Sequence, residues 1–329
     1  MEVTILTEQQ LRQVVELDDA ALAAVADGFV RLARGQATMP PIMRVEIPEN
    51  NGELDVKSAY LAGLDSFAVK LSSGFFENAR LGLPSLSGMM VLLSSETGFP
   101  RAVLLDNGYL TDVRTALAGA LAARHLAPAQ VDTVGVIGSG AQARYQLRAL
   151  QLVRSFQKVL VYSRDQANRE RYAQEMAPLL DCVVHPVPDA ETVVRESDLL
   201  VTTTPARRPV VQAAWLHPGL HITAMGADAE AKQELAVEVL AQAGLLVCDT
   251  RAQAFRLGEL HHGLEAGVID EESPILELGH LIAAGGSARR TPEQITVCDL
   301  TGTGAQDTAI ARLAYERAQA AGLGTTIDA

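Results

Sequence analysis

The sequence predicts an α/β protein with a doubly wound parallel sheet and a second, α+β domain. Two observations carry this prediction: short apolar runs alternate with helical segments after Pro128, and apolar runs joined by hairpin-turn sequences precede it. Alternation of strands and helices is typical of a parallel sheet covered by helices on both faces. We therefore predict one domain of residues 1–127 completed by residues 305–329, and a second domain of residues 128–304.

The composition limits the classes of function that this protein can have. The chain has 329 residues, 48% hydrophobic and 20% charged, which suffices for two domains with large cores. Its formal net charge of −13 repels nucleic acid and anionic membranes. No apolar run of about 18 residues and no signal-like N-terminal segment stand out, so we expect a cytoplasmic protein without nucleic-acid or membrane partners. Cys182, Cys248 and Cys298 show neither disulfide nor metal-ligand spacing, and no metal site is predicted.

The N-terminal region is predicted to form helices followed by hairpins. Thr7 and Gln10 are spaced as a capping box for a short helix, and Asp18 or Asp19 can cap a second helix that stops at Gly35. Two turn sequences, Asn50-Asn51-Gly52 and Glu96-Thr97-Gly98, lie between strand-like runs and predict hairpins. An alanine-rich helix is predicted from about Leu110 to Leu126.

The second domain begins with the run "DTVGVIG", and five further apolar runs follow at intervals. They are "KVLVYSR", "CVVHPV", "DLLVTTT", "HITAMG" and "LLVCD", and "QITVCDL" could add a last strand. A final helix, predicted over about Asp307 to Ala321, has an apolar face that could pack against the first domain and make that domain discontinuous.

A glycine-rich turn stands between the first strand of the second domain and its helix. Gly138, Ser139, Gly140, Ala141, Gln142 and Ala143 fit the pattern G-x-G-x-x-A. In this context, Gly138 permits a tight turn, Gly140 lets the backbone approach a pyrophosphate, and the helix N-terminus faces the phosphates. We therefore predict a Rossmann-type dinucleotide site, with Thr203 and Thr204 as further contacts. An ordinary glycine-rich turn is the alternative.

The end of the next strand favours NADP(H) over NAD(H). An acid at this place binds the ribose 2′-hydroxyl, whereas this chain has Ser163 and Arg164, which suit a 2′-phosphate. Two alternatives stay open. Asp165 could turn inward, or Arg164 could stack on adenine or face water.

Four cations of the first domain predict an anion site. Arg44, Lys57, Lys70 and Arg114 stand in or beside apolar runs, and Arg114 falls in the predicted first turn of a helix, where a cation opposes the helix dipole. Together they suggest a pocket for a carboxylate. Alternatively, Lys70 could snorkel from a barrel face.

Asp228 is the predicted acid/base. It follows the run "HITAMG", at the strand end where ligands of open α/β sheets bind, and a carboxyl group there could exchange protons with an amino or imino nitrogen. The alternative is that Asp228 caps a helix starting near Ala229.

Along nearly its whole length, the chain resembles the ornithine cyclodeaminase/μ-crystallin family. The resemblance rests on Arg44 and on the segments "FAVKLSSGFFENARLGLPS", "LTDVRTALAGALAARHL", "GVIGSGAQA" and "MGADAEAKQEL". The segments "GLPSLSG" and "LLDNGYLTDVRTA" are most similar to those of the branch of ectoine-utilisation cyclodeaminases.

The resemblance implies a homodimer, a Rossmann domain for NAD(H) or NADP(H), and site residues. Arg44, Lys70 and Arg114 match the family's ligands of the substrate carboxylate, and Asp228 matches its general acid/base. Asp228 and Lys70 are therefore the expected catalytic residues. The family runs two kinds of chemistry at the α-carbon of a small amino acid. One is simple hydride transfer, and the other is cyclodeamination of a diamino acid with internal recycling of the cofactor.

One departure from the family pattern favours simple hydride transfer. Ornithine-cyclising members have an acid for the distal amine where this chain has Lys57, although Asp55 lies two residues earlier on the same strand face. A cation repels an ammonium and attracts a second carboxylate. We therefore expect an imine reductase or amino-acid dehydrogenase acting on a small, acidic imino or oxo acid. Cyclodeaminase chemistry and a non-catalytic, ligand-binding role are the alternatives.

Overall fold

The computed structural model describes residues 2–328, with the exception of the side chain of Ala79. The chain divides into two compact units, one of Met1–Arg114 with Thr303–Ala329 and one of Thr115–Gly302. The division falls thirteen residues before the predicted boundary after residue 127, inside a helix that the sequence analysis had assigned whole to the first domain.

The first part of the chain, up to that helix, contains seven strands. In chain order its elements are β1 (Glu2–Thr7), α1 (Glu8–Val14), α2 (Asp19–Ala33), β2 (Ala37–Thr38), β3 (Met43–Ile47), β4 (Gly52–Leu61), β5 (Ser66–Phe75), β6 (Leu86–Ser94), β7 (Pro100–Leu105) and α3 (Tyr109–Leu126).

The remainder of the chain follows in the same order. Its elements are β8 (Thr133–Ile137), α4 (Ala141–Leu150), β9 (Lys158–Tyr162), α5 (Gln166–Leu180), β10 (Val183–Pro186), α6 (Ala190–Arg195), β11 (Leu199–Thr202), β12 (Arg207–Val211), β13 (His221–Ala224), β14 (Gln233–Leu235), α7 (Val237–Gln242), β15 (Leu245–Cys248), α8 (Arg251–Ala254), α9 (Gly258–Glu265), β16 (Ile275–Glu277), α10 (Leu278–Ala284), β17 (Thr296–Asp299), α11 (Gly304–Ala320) and β18 (Thr325–Asp328).

The first unit is built on an eight-stranded sheet in the order β18-β1-β7-β6-β5-β4-β2, with β3 paired to β4. All pairs are antiparallel except β1 with β7. The capping box of Thr7 and Gln10 and the cap of Asp18 on α2 are confirmed. So are both hairpins, whose turns place Asn51 and Gly98 at positive φ. Terminal strands β1 and β18 were not predicted, because each is stabilised chiefly by pairing with a distant part of the chain.

Helix α11 is inserted against the sheet of the first unit. The Thr308 hydroxyl donates to the carbonyl of Ala59 at 2.7 Å and accepts from the amide of Ala68 at 3.0 Å. These two residues are register partners on β4 and β5, so the threonine bridges the strands at that point. A Cβ at Gly304 would lie 2.5 Å from the backbone of Ser58, so only glycine permits the approach. The helix starts three residues before the predicted Asp307, which therefore lies within its first turn.

The second unit contains an eight-stranded parallel sheet in the order β10-β9-β8-β11-β13-β17-β15-β16. Apolar side chains fill its strands, as expected for a sheet covered on both faces. The run "QITVCDL" forms β17, which is inserted between β13 and β15 rather than added at the edge. Strand order reverses between β8 and β11, the point where open α/β sheets bind ligands. No helix within residues 2–328 has the length and apolar character that a bilayer crossing requires.

Candidate active site

Two of the predicted substrate ligands, Lys70 and Arg114, meet at a buried carboxylate in the first unit. Nζ of Lys70 lies 3.0 Å from Oδ2 of Asp307, and Nε of Arg114 lies 2.9 Å from Oδ1 of the same residue. The Lys70 side chain is 2% exposed and the Asp307 side chain is fully buried, so the snorkelling alternative for Lys70 is wrong. Lys57 is the register partner of Lys70 on the neighbouring strand and is buried too.

The charged groups of this cluster shift one another's pKa values. Burial, followed by the nearby Arg114 guanidinium, lowers the pKa of Lys70 to about 7, although Asp307 opposes the shift. Burial opposes ionisation of Asp307, but Lys70, Arg114 and Lys57 outweigh it and hold the pKa of that carboxyl below its ordinary value. Three buried cations thus surround one ionised carboxylate, and the cluster is suited to accept a further anion.

Gln306 adds an unused donor to this cluster. Its side chain is buried, and its Oε1 accepts from Arg114 at 3.0 Å and from the amide of Thr303 at 2.9 Å. Its Nε2 is buried and, among the described residues, has no hydrogen-bond partner. Buried amide donors are rarely left unpaired, because each costs about 1–3 kcal/mol. An oxygen of a bound ligand would satisfy this group.

Arg114 itself is not in a first helical turn. Helix α3 begins at Tyr109, so Arg114 lies in its second turn, and the predicted conflict with the helix dipole is weaker than the sequence analysis assumed. The earlier start is supported by Asp106, whose carboxylate accepts from the amide of Leu110 at 2.9 Å. Burial raises the pKa of Asp106. The position of the Arg114 side chain is therefore set by its ion pair with Asp307 rather than by the end of the helix.

Arg44 pairs with acids on the neighbouring strand. It lies on β3, and its guanidinium makes two hydrogen bonds to Asp55 across the ladder, at 2.7 and 2.8 Å. Glu53 lies 3.8 Å from the same guanidinium. Asp55 and Lys57 are both buried on the same face of β4, so the strand turns both inward rather than one of the two. Arg44 neutralises Asp55, which leaves Lys57 as the cation nearest Lys70 on this strand.

The glycine-rich turn of the second unit has the conformation that a dinucleotide site needs. Gly138 has a φ of +116°, and a Cβ there would lie 2.4 Å from the hydroxyl of Thr203. A Cβ at Gly140 would meet no atom within 4 Å, so the space beside the start of α4 is open. The structure therefore fits a pyrophosphate at the helix N-terminus, where backbone N–H groups are unpaired.

Two side chains that were not predicted hold this region: Arg144 binds the turn, and Glu234 binds the segment that follows β11. Arg144 donates to the carbonyl of Ser139 at 2.6 Å and to that of Gly140 at 3.1 Å. Glu234 is buried and accepts from the amide and hydroxyl of Thr204 at 2.6 and 2.7 Å. Burial raises the pKa of Glu234, and its bonds to Thr202 and Thr204 oppose that rise. The hydroxyl of Thr204 is thus committed to Glu234, while Thr203 faces Gly138.

The specificity position lies at the end of β9. Asp165 accepts from the amide of Asn168 at 2.8 Å and caps α5, so the alternative in which it turns toward a ribose is not adopted. The hydroxyl of Ser163 donates to the carbonyl of Asp165 at 3.1 Å. Arg164 is exposed, and among the described residues its side chain forms no ion pair.

Asp228 lies on the segment between β13 and β14. Its carboxylate pairs with Nζ of Lys232 at 2.6 Å, and its side chain is 44% exposed. No helix starts near Ala229; the segment forms a turn and then β14, so the capping alternative is wrong. An acid that is paired yet partly exposed can still reach a ligand.

Comparison with known proteins identifies the family. A sequence profile described as "Ornithine cyclodeaminase/mu-crystallin family" matches residues 1–322. The chain belongs to this family. An uncharacterized cyclodeaminase of Sinorhizobium fredii is 48% identical over 325 residues, 98% of both chains. The alanine dehydrogenase of Archaeoglobus fulgidus is 38% identical over 330 residues, 99% of this chain and 98% of the relative.

Solved structures of relatives superpose over nearly the whole chain. The Δ1-pyrroline-2-carboxylate reductase of Thermococcus litoralis, with NADH and L-proline, has a TM-score of 0.93 at 31% identity, covering 98% of this chain and 100% of that one. An archaeal alanine dehydrogenase dimer with NAD has a TM-score of 0.92 at 37% identity, covering 100% and 99%. The iminosuccinate reductase of Paracoccus denitrificans, with NAD⁺, has a TM-score of 0.91 at 27% identity and covers 100% of both chains. The predicted fold class and NAD(P)-dependent enzyme class are confirmed.

Proposed function

We propose that the protein is an NAD(P)-dependent imine reductase or amino-acid dehydrogenase acting on a small imino or amino acid. The observation that carries this proposal is the buried cluster in which Lys57, Lys70 and Arg114 surround Asp307 and leave Nε2 of Gln306 without an acceptor. Such a cluster binds a carboxylate. The named relatives, which act on alanine, pyrroline-2-carboxylate and iminosuccinate, support a substrate of this kind.

Each residue has a separate task in this reaction. Lys70 and Arg114 bind the substrate carboxylate and so fix the position of the α-carbon, while Gln306 donates to one of its oxygens. Asp228 gives a proton to the substrate nitrogen during reduction and takes one during oxidation. A nicotinamide dinucleotide held at the Gly138 turn would supply or accept the hydride. The residues Ser139, Gly140, Ala141 and Gln142 would hold its pyrophosphate.

The charges on β4 favour a substrate with a neutral or acidic side chain. Asp55 would suit the distal ammonium of a diamino acid, but its carboxylate is engaged by two hydrogen bonds from Arg44. Lys57 is buried beside Lys70 and would repel that ammonium. A second carboxylate would instead gain from Lys57. We propose that Arg44, held by Asp55, is a further ligand of the substrate carboxylate.

We propose that NADP(H) binds more tightly than NAD(H). Arg164 is exposed and forms no ion pair with the residues that the structure describes, and Asp165 caps a helix. This strand end therefore offers a cation rather than an acid to the adenosine ribose. Arg164→Ala should then weaken NADPH about 5- to 150-fold, the loss of a 1–3 kcal/mol charge-assisted bond, and leave NADH unchanged. Fluorescence titration of both cofactors measures this. An equal effect on both cofactors contradicts the assignment, and Arg171→Ala on α5 is the control.

Carboxylate binding should weaken as pH rises above 7. Because burial lowers the pKa of Lys70 from 10.5 to about 7, its ammonium is present below that pH and is lost above it. The dissociation constant of pyruvate, which does not titrate in this range, should therefore rise from pH 7 to 9, by at most about tenfold per pH unit. Lys70→Arg keeps its charge at these pH values and should abolish the dependence. A slope that persists in Lys70→Arg would assign the titration to another group near the cluster, which includes Lys57, Asp106, Arg114 and Asp307.

A panel assay tests the proposed function. The enzyme is incubated with NADPH or NADH, ammonia and 2-oxo acids that carry one or two carboxylates, and with pyrroline-2-carboxylate, while absorbance at 340 nm is followed. We expect stoichiometric loss of reduced cofactor with at least one of these substrates, and faster loss with the dicarboxylate. Tight cofactor binding without turnover across the panel would instead indicate a non-catalytic ligand-binding protein.

Cyclodeamination is the second candidate function, because the chain is 48% identical to the Sinorhizobium fredii cyclodeaminase over nearly its full length. In that case a diamino acid with catalytic NAD⁺ releases ammonia, and absorbance at 340 nm shows no net change. The two readouts separate the candidates.

We also propose that the protein is a homodimer. The dimeric alanine dehydrogenase supports this, as do exposed apolar side chains on β3 and β6, including those of Met43 and Leu86.

A further inference from the structure

Helix α9 of the second unit carries two adjacent histidines and a glutamate at metal-ligand spacing. His261 and His262 precede Glu265 by four and three residues, which brings all three side chains toward one side of the helix. Nε2 of His261 lies 3.5 Å from Oε1 of Glu265, and Nδ1 of His262 lies 3.9 Å from Oε2. One ligand atom from each residue lies within 4.8 Å of the others.

The second nitrogen of each imidazole is held by a backbone carbonyl. Nδ1 of His261 lies 3.3 Å from the carbonyl oxygen of Phe255, and Nε2 of His262 lies 2.8 Å from that of Lys232. A carbonyl only accepts hydrogen bonds, so in each pair the ring nitrogen carries the proton. In the neutral rings the lone pairs are then on Nε2 of His261 and Nδ1 of His262, the two atoms that approach Glu265. This is the arrangement in which histidine ligands are oriented by second-shell acceptors.

The distances fit a transition metal with small adjustments. Zn²⁺ is bound at about 2.0–2.2 Å by imidazole nitrogen and carboxylate oxygen, so tetrahedral ligands lie about 3.3–3.6 Å apart. The 3.5 Å from His261 to Oε1 of Glu265 already agrees. The 3.9 Å from His262 runs to the other oxygen, Oε2, and both nitrogens can approach one oxygen because the Glu265 side chain is 64% exposed and can turn. Two imidazoles and one carboxylate favour Zn²⁺ and its neighbours over Mg²⁺ or Ca²⁺, which prefer oxygen ligands.

We propose that His261, His262 and Glu265 form a binding site for Zn²⁺ or a similar divalent transition metal, with a fourth position open to water. The site extends to the segment of the proposed acid/base, because the carbonyl that holds His262 belongs to Lys232, whose ammonium binds Asp228. A bound metal would fasten α9 to this segment.

Calorimetric titration of Zn²⁺ into chelator-treated protein tests the site directly. We expect one Zn²⁺ per chain. Glu265→Gln and His261→Ala should each weaken binding by more than about tenfold, since even second-shell partners of a metal contribute about 10- to 100-fold. Glu265 is exposed, so its replacement should leave the fold intact, and circular dichroism checks this. Visible absorption of the Co²⁺ form should show the intense bands of a tetrahedral site.

His280→Ala is the matched control. His280, on α10, also faces a glutamate, Glu277 at the end of β16, at 3.9 Å. Its side chain is 61% exposed, and among the described residues it belongs to no metal-ligand group. Its replacement should leave Zn²⁺ affinity unchanged. The proposal is overturned if the wild-type protein binds no stoichiometric Zn²⁺, or if Glu265→Gln and His261→Ala bind it as His280→Ala does.

Discussion

Asp228→Asn lowers turnover by about 10²- to 10⁴-fold and leaves the dissociation constants of cofactor and carboxylate unchanged. This is the expected result because an amide cannot exchange a proton with the substrate nitrogen, and general acid/base groups contribute rates of this size. The amide keeps the shape of the side chain and its position between β13 and β14. Stopped-flow measurement of hydride transfer at 340 nm reports the loss separately from product release.

Two neighbours serve as controls for this variant. Glu230→Gln changes an exposed acid two residues away, in the same turn, and should leave turnover unaltered. Lys232→Met removes the ion pair that holds Asp228 at 2.6 Å, and it should shift the pH profile of turnover rather than abolish activity. Turnover in Asp228→Asn within a few-fold of the wild type would end the acid/base assignment.

Lys70→Met should raise the dissociation constant of a carboxylate ligand about 30- to 5,000-fold. This is the range that corresponds to the 2–5 kcal/mol lost when one partner of a buried charge pair is removed. The fold should survive, because methionine fills the volume of the lysine stem and Arg114 still pairs with Asp307 at 2.9 Å. Equilibrium titration with pyruvate gives the dissociation constant of the carboxylate ligand, and urea unfolding gives the free energy of unfolding.

The double variant Lys70→Met, Arg114→Met isolates the role of Asp307. It leaves a buried carboxylate without either cation, and unfolding free energy should fall by about 3–5 kcal/mol. Adding Asp307→Asn should restore much of that stability without restoring carboxylate affinity. Lys158→Met, at an exposed pair with Glu196, is the surface control for both measurements. If Lys70→Met binds pyruvate as the wild type does, the cluster does not hold the substrate carboxylate.

Several site features were readable in the sequence because they are local. The G-x-G-x-x-A turn needs a positive φ at its first glycine and open space at its second, and both demands are met at Gly138 and Gly140. A cation in an apolar run, such as Lys70 in "FAVKLS", marks a charge that the fold must bury. Patterns of this kind depend on one strand or one turn and do not require knowledge of its neighbours.

Asp307 and Gln306 could not be recognised in the same way. In the sequence, Asp307 is an acid near the start of a helix, where acids are common because they complement the dipole. Its meaning comes from Lys70 and Arg114, which are more than 190 positions away along the chain. Glu234 could not be recognised either. Its carboxylate oxygens accept hydrogen bonds from Thr204 and Gly226 and so connect these two residues across the sheet.

The sequence by itself determined the class of sheet, the dinucleotide turn and the residue types available for holding a carboxylate. These follow from hydrophobic period and from backbone conformations that only glycine adopts readily. The tertiary structure alone decided which of these charges are paired: Arg44 with Asp55, and Lys70 and Arg114 with Asp307. The physical reason is that electrostatic energy depends on distance and burial, and neither is a property of a residue's neighbours in sequence.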